Sequence, residues 1–157
     1  MTHSDLKKRV QEIVNEAHHL NAAHTYARDA PVNYACVFAQ SDNEYAELVD
    51  LARQLGPIVQ ETAMGPVFHI ASLDTMAGPL ELLKIRRPDP KRPERGDADF
   101  TVADYEIFKK TYLGQPGFGI IRRPEMEMIE LIDPAYNVIA YFSHPTLAVV
   151  LKINKGN

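Results

Sequence analysis

The chain has 157 residues, 45% of them hydrophobic and 24% charged, with a formal net charge of -4 and one cysteine, Cys36. That length suits a single domain with a real core, and the acidic balance excludes a dedicated nucleic-acid binder, whose basic excess is plain in its composition. No apolar run approaches the roughly 20 residues that span a bilayer, "MTHSDLKKRV" lacks the apolar centre of a signal peptide, and a lone cysteine allows no internal disulfide. A cytoplasmic chain with no membrane segment is expected.

In chain order, "SDLKKRVQEIVNEAHHL" places Leu6, Val10, Ile13, Val14 and Ala17 on one helical stripe, with Ser4 or Asp5 as its cap. His18, His19 and His24 share no i,i+4 pair on one face and read as a solvated helix end rather than a zinc site. A strand, "VNYACVFAQ", leads to a helix, "SDNEYAELVDLARQLG", opened by the capping-box pair Ser41 and Glu44 and stopped by Gly56-Pro57. Strands "PIVQETA", "PVFHIASLD" and "PLELLKI" follow, each bounded by Gly or Pro. After the basic, proline-rich "RRPDPKRPERG" the order repeats. A strand "DADFTV" and a helix "ADYEIFKKTYLG" precede strands "GFGIIRR", "MEMIELID" and "YNVIAYFS", and "TLAVVLKI" reads as a last edge strand.

The prediction is an α+β fold. A helix and lead-in (1–30) precede a first βαβββ module (31–85), a crossover (86–96), a second module (97–143) and a C-terminal strand or tail (144–157), within a single domain, 1–157. An offset of about sixty residues between like elements marks an internal duplication.

Several polar residues fall where strands are expected. Asp97 and Asp99 alternate onto one face, opposite Ala98 and Phe100. Together they suit a cation or a general base, or else a solvated strand start. Lys84 and Arg86 share a face in the same way, and either hold a carboxylate or phosphate or stiffen the crossover. His69, within "VFHIASL", is either an acid–base group or ligand or a hydrogen-bonded sheet histidine. Glu130, between Met128 and Ile132 in alternation, is costly if buried unpaired and is the leading metal or base candidate outside the basic segment. Tyr34 and Tyr141 offer rings and hydroxyls to a pocket, or pack in the core. Cys36, in an apolar strand, reads as inert. No dinucleotide, P-loop, zincin or nucleophile-elbow motif is present.

The tandem βαβββ order resembles the vicinal-oxygen-chelate superfamily of glyoxalases, extradiol dioxygenases and bleomycin-resistance proteins, and within it the YecM-type branch. The resemblance covers residues 32–143. It implies two curved half-sheets around a pocket, with a divalent metal held by His, Glu, His and Glu from the first and last strands of each module. Matched to that pattern, Asn33 stands for the first His and Lys84 for the first Glu, while Asp97 stands for the second His and Asp99 for the Glu two residues on in the usual His-x-Glu-Phe-Val opening of module two. Tyr141 and Ser143 are the polar residues nearest the fourth position. An ammonium brings charge but no electron pair to a metal, so the resemblance implies a degenerate site. In such a site Lys84 replaces the ion and pairs with Asp97 or Asp99.

The expected function is binding of a small-molecule ligand through Asn33, Tyr34, Lys84, Arg86 and Tyr141, with no cofactor and no nucleic-acid or membrane partner. The alternative is a divalent-metal-dependent lyase, isomerase or dioxygenase using Asp97, Asp99, Glu130 and His69 as ligands or catalytic groups. A third reading makes Arg87, Lys91 and Arg92 a partner-docking surface. Superfamily members are often dimers, so the resemblance also allows a homodimer.

Overall fold

The computed structural model describes residues 1–153. Helix α1 (His3–His24) starts two to three residues earlier than its predicted cap implies. Thr2, not Ser4 or Asp5, is the N-cap, and Asp5 closes a capping box back onto it. Its buried stripe is the predicted one, with Leu20 and Asn21 added.

The first module runs β1 (Val32–Phe38), α2 (Asp42–Arg53), β2 (Ile58–Thr62), β3 (Gly65–Thr75) and β4 (Gly78–Arg86). The second repeats it as β5 (Gly96–Phe100), α3 (Tyr105–Tyr112), β6 (Phe118–Arg122), β7 (Glu127–Leu131) and β8 (Val138–His144). Capping chemistry sets the helix starts. Ser41 accepts from the Glu44 amide, and Asp104 from the Ile107 amide. Glu44 itself reaches back to the Gln40 amide, one residue before the cap.

The strands form one eight-stranded mixed sheet in the order β2-β3-β4-β1-β5-β8-β7-β6. Each module's first strand pairs in parallel with its last, β1 with β4 and β5 with β8, while β1 and β5 join the modules antiparallel. The sheet is curved and unclosed, with β2 and β6 as its edges. The predicted architecture is therefore the observed one.

The two faces carry different cores. On the outer face, Ala35, Ala98 and Ala140 lie in register across β1, β5 and β8 and share a core with the α1 stripe, Phe68, Phe100, Phe108 and Phe142. Three alanines in a row leave room for α1, which packs on β1, β3, β5 and β8 and so crosses the seam between modules. Gly96 is required at that seam: a Cβ there would lie 2.4 Å from the Cys36 carbonyl oxygen and 2.8 Å from Ile13 Cδ1. On the inner face Tyr34, Cys36, Phe38, Val67, Leu82, Met128, Ile139 and Tyr141 form a second core.

The C-terminal prediction is corrected. "TLAVVLKI" is not an edge strand; it forms a short helix, α4 (Leu147–Val150), capped by Thr146. The reason is topological, because β8 already has β5 and β7 on its two sides and offers no free edge to a following strand. The run instead lays Leu147 and Ala148 onto the inner core, with Val150, Leu151 and Ile153 packed beside them. The part of the predicted tail beyond 153 lies outside the described residues.

Candidate functional site

Strand alternation and register bring most of the candidate polar residues onto the inner face. Across the sheet, Leu82, Tyr34, Asp99, Tyr141 and Glu130 fall in one row, and Lys84, Cys36, Asp97 and Ile139 in the next. Arg86 is in register with Phe38, and its guanidinium lies 4.7 Å from the centre of that ring. A register shift between Val32 and Tyr34 turns Asn33 toward the C-terminal segment, where its buried Oδ1 accepts from the Ala148 amide at 3.2 Å.

His69 shares that face, in register with Leu82, but lies apart from the aspartates. It pairs with Glu81 (Nε2–Oε1 3.6 Å) and sits three strands from Asp97, on the order of 14 Å at ordinary strand spacing.

The basic groups here are largely paired. Arg86 Nη2 meets Asp89 Oδ2 at 3.0 Å, and Arg92, from the crossover, meets Glu130 Oε2 at 3.3 Å. Tyr141 donates to the same Glu130 oxygen at 3.0 Å, and Ser143 donates to Asp99 Oδ2 at 2.6 Å. Lys84 acts on Asp97 through its charge, lowering the carboxyl's pKa against the effect of burial.

Asp97 is the residue whose environment is most telling. It is 6% exposed, and its Oδ1 is buried with no hydrogen-bond partner among the described residues. Burial pushes its carboxyl up to about 7 against the pull of Lys84 and Arg86; Glu130 adds to the rise and Arg92 opposes it. Arg86 Nε is likewise buried and without an acceptor. Burial, then Asp97, hold the hydroxyls of Tyr34 and Tyr141 un-ionised, so both stay donors. Burial, then Asp97, also keep the Cys36 thiol protonated, in line with its inert reading.

Asp99, Tyr34 and Tyr141 are buried as Asp97 is, with α4 and the residues up to Ile153 packed across one end. Two surface depressions of about 190 and 250 Å³ lie elsewhere, one beside His3, Gln54 and Leu73, the other beside His18, Asp29 and Met76.

Among the described residues no three His, Cys, Asp or Glu side chains form a group that could hold a metal. Glu130 is engaged by Arg92 and Tyr141, and His69 by Glu81.

Sequence reasoning did not place Arg92 in this cluster. Strand alternation cannot orient a side chain in a proline-rich loop. The Asp99–Ser143 bond was equally hidden, because it depends on cross-strand register rather than spacing along the chain.

No protein-family model matches the chain, and neither does any curated protein. Among solved structures it is similar to a structural-genomics protein, EC4020, with a TM-score of 0.71 and 10% identity over 97% of this chain and 92% of that one. A glyoxalase/bleomycin resistance protein/dioxygenase superfamily member from Vibrio splendidus 12B01 aligns with a TM-score of 0.43 and 9% identity, over 73% of this chain and 97% of that one. At such identities the likeness to EC4020 speaks for the architecture alone.

Proposed function

We propose that the chain is a small-molecule-binding protein on a glyoxalase-like scaffold, with basic side chains standing where that superfamily holds its divalent metal. The observation that carries this reading is Asp97. A carboxylate 94% removed from solvent, with an unpartnered oxygen, is costly to fold. Such a group is retained where a ligand completes it. The cations around it, Lys84, Arg86 and Arg92, act on its charge as a metal would, while supplying donors instead of coordination positions.

Paired Arg86 and Arg92 also speak against a nucleic-acid surface, since their charge is already met by Asp89 and Glu130.

The test is a fragment screen by two-dimensional NMR on chelator-treated, isotope-labelled protein. Binding that shifts the amides of Tyr34, Asp97 and Tyr141 without added metal is expected. Hits confined to other surfaces, or binding at this face that appears only when a divalent ion is supplied, would contradict the reading.

A further inference from the structure

The inner face holds two buried polar atoms of opposite kind with no partner among the described residues: an acceptor, Asp97 Oδ1, and a donor, Arg86 Nε. They come from strands on either side of β1. Asp97 is in register with Cys36 and Arg86 with Phe38, and Cys36 and Phe38 lie two residues apart on the same face. Arg86 is close enough for its charge to act on the Asp97 carboxyl.

Each of the two residues is otherwise constrained. Arg86 is fixed by Asp89 through Nη2 and by the Phe38 ring beneath it, so its Nε–H cannot turn to a new acceptor without breaking both contacts. Asp97 is held by strand pairing on both sides, with β1 and with β8.

A ligand answering both atoms must present a donor beside an acceptor. A charged group would add the cost of burying another ion to a face already crowded with Lys84, Arg92 and Glu130. A neutral planar group avoids that cost, and flat apolar neighbours, Tyr34, Phe38 and Tyr141, suit one.

We propose that this site takes a neutral amide-type ligand, a carboxamide or lactam, whose N–H donates to Asp97 Oδ1 and whose carbonyl accepts from Arg86 Nε. This rests on the small-molecule-binding reading above and names the ligand's chemical class.

Benzamide, N,N-dimethylbenzamide and benzoate are the probes, titrated into labelled full-length protein while the Arg86 Nε–Hε and Asp97 amide signals are followed. Benzamide is expected to shift both signals in a saturable way. N,N-dimethylbenzamide, which has no donor, and benzoate, which has no donor and a charge, are expected to bind at least about tenfold more weakly, as loss of a hydrogen bond to a charged group implies.

Arg86→Lys keeps the charge but lacks Nε–H, and it is expected to lower benzamide affinity by about the same factor. Asp97→Asn serves as a second variant should Arg86→Lys fold poorly, and a similar loss is expected there. Equal shifts from benzamide and its dimethyl analogue, or benzamide shifts that bypass Arg86 and Asp97, overturn this inference while other fragments bound at the face leave the ligand-binding reading standing. If no compound of any class reaches the face, both fall.

Discussion

Asp97 carries a stability signature that can be read without knowing any ligand. An unfolded aspartate ionises near pH 3.9, whereas folded Asp97 does so only at about 7. Below both values the two states hold the proton equally and the group is neutral to stability. As pH rises between them, the unfolded chain releases its proton while the folded chain keeps it, so stability is lost until the folded carboxyl also ionises. The shift corresponds to about 4 kcal/mol at most. Asp97→Asn cannot titrate. Denaturant unfolding at pH 5 and pH 8 is therefore expected to show the variant gaining on the natural protein by a few kcal/mol across that interval. Parallel pH profiles for the two would show that Asp97 is not buried as described. At this scale the sequence was informative wherever alternation applies: "DADF" and "KIR" put Asp97, Asp99, Lys84 and Arg86 on one face, as they are found. It was not informative about engagement. Nothing in "MIELI" says that Glu130 is met by Arg92, and nothing in "VFHIASL" sends His69 to Glu81 rather than toward the aspartates.

Among the elements, the C-terminal segment departs furthest from its sequence. Its apolar run has strand-like composition, but α4 forms because the sheet has no edge beside β8. Composition reports that a run must be buried, not which partner buries it. The repeated strands and helices were legible because each carries its own punctuation: Ser41 and Asp104 as caps, and Gly or Pro between strands. The segment closes one end of the inner face, and the Asn33–Ala148 hydrogen bond ties it down. Cys36, 2% exposed within that core, reports on its opening. Asn33→Ala leaves the Ala148 amide without its acceptor, a loss of about 1–2 kcal/mol. Reaction of Cys36 with an aromatic disulfide reagent is expected to quicken about tenfold in the variant, with the denaturant midpoint lowered in step with that loss. An unchanged labelling rate would mean that the segment does not govern access to this face.

For the whole molecule, the duplication explains why these charged residues meet where they do. Two βαβββ units meet antiparallel through β1 and β5, so the last strand of one and the first strand of the next flank the joint, with β1 between them. Residues ending β4 and opening β5 thus face one another across β1 from either side, and α1 locks the arrangement by spanning both units. Glu16 strengthens that lock, accepting from Arg95 Nε at 3.0 Å and from the Asn137 amide at 2.6 Å. That joint gathers the charges of Lys84, Arg86 and Arg92 around Asp97. The measurement that bears most directly on this account is metal content by plasma mass spectrometry. The protein would be purified without chelators, dialysed against excess manganese or zinc and desalted, alongside Asp97→Ala. No ion retained in proportion to the chain and no difference between the two proteins are expected; one ion per chain, lost in Asp97→Ala, would overturn the metal-free reading.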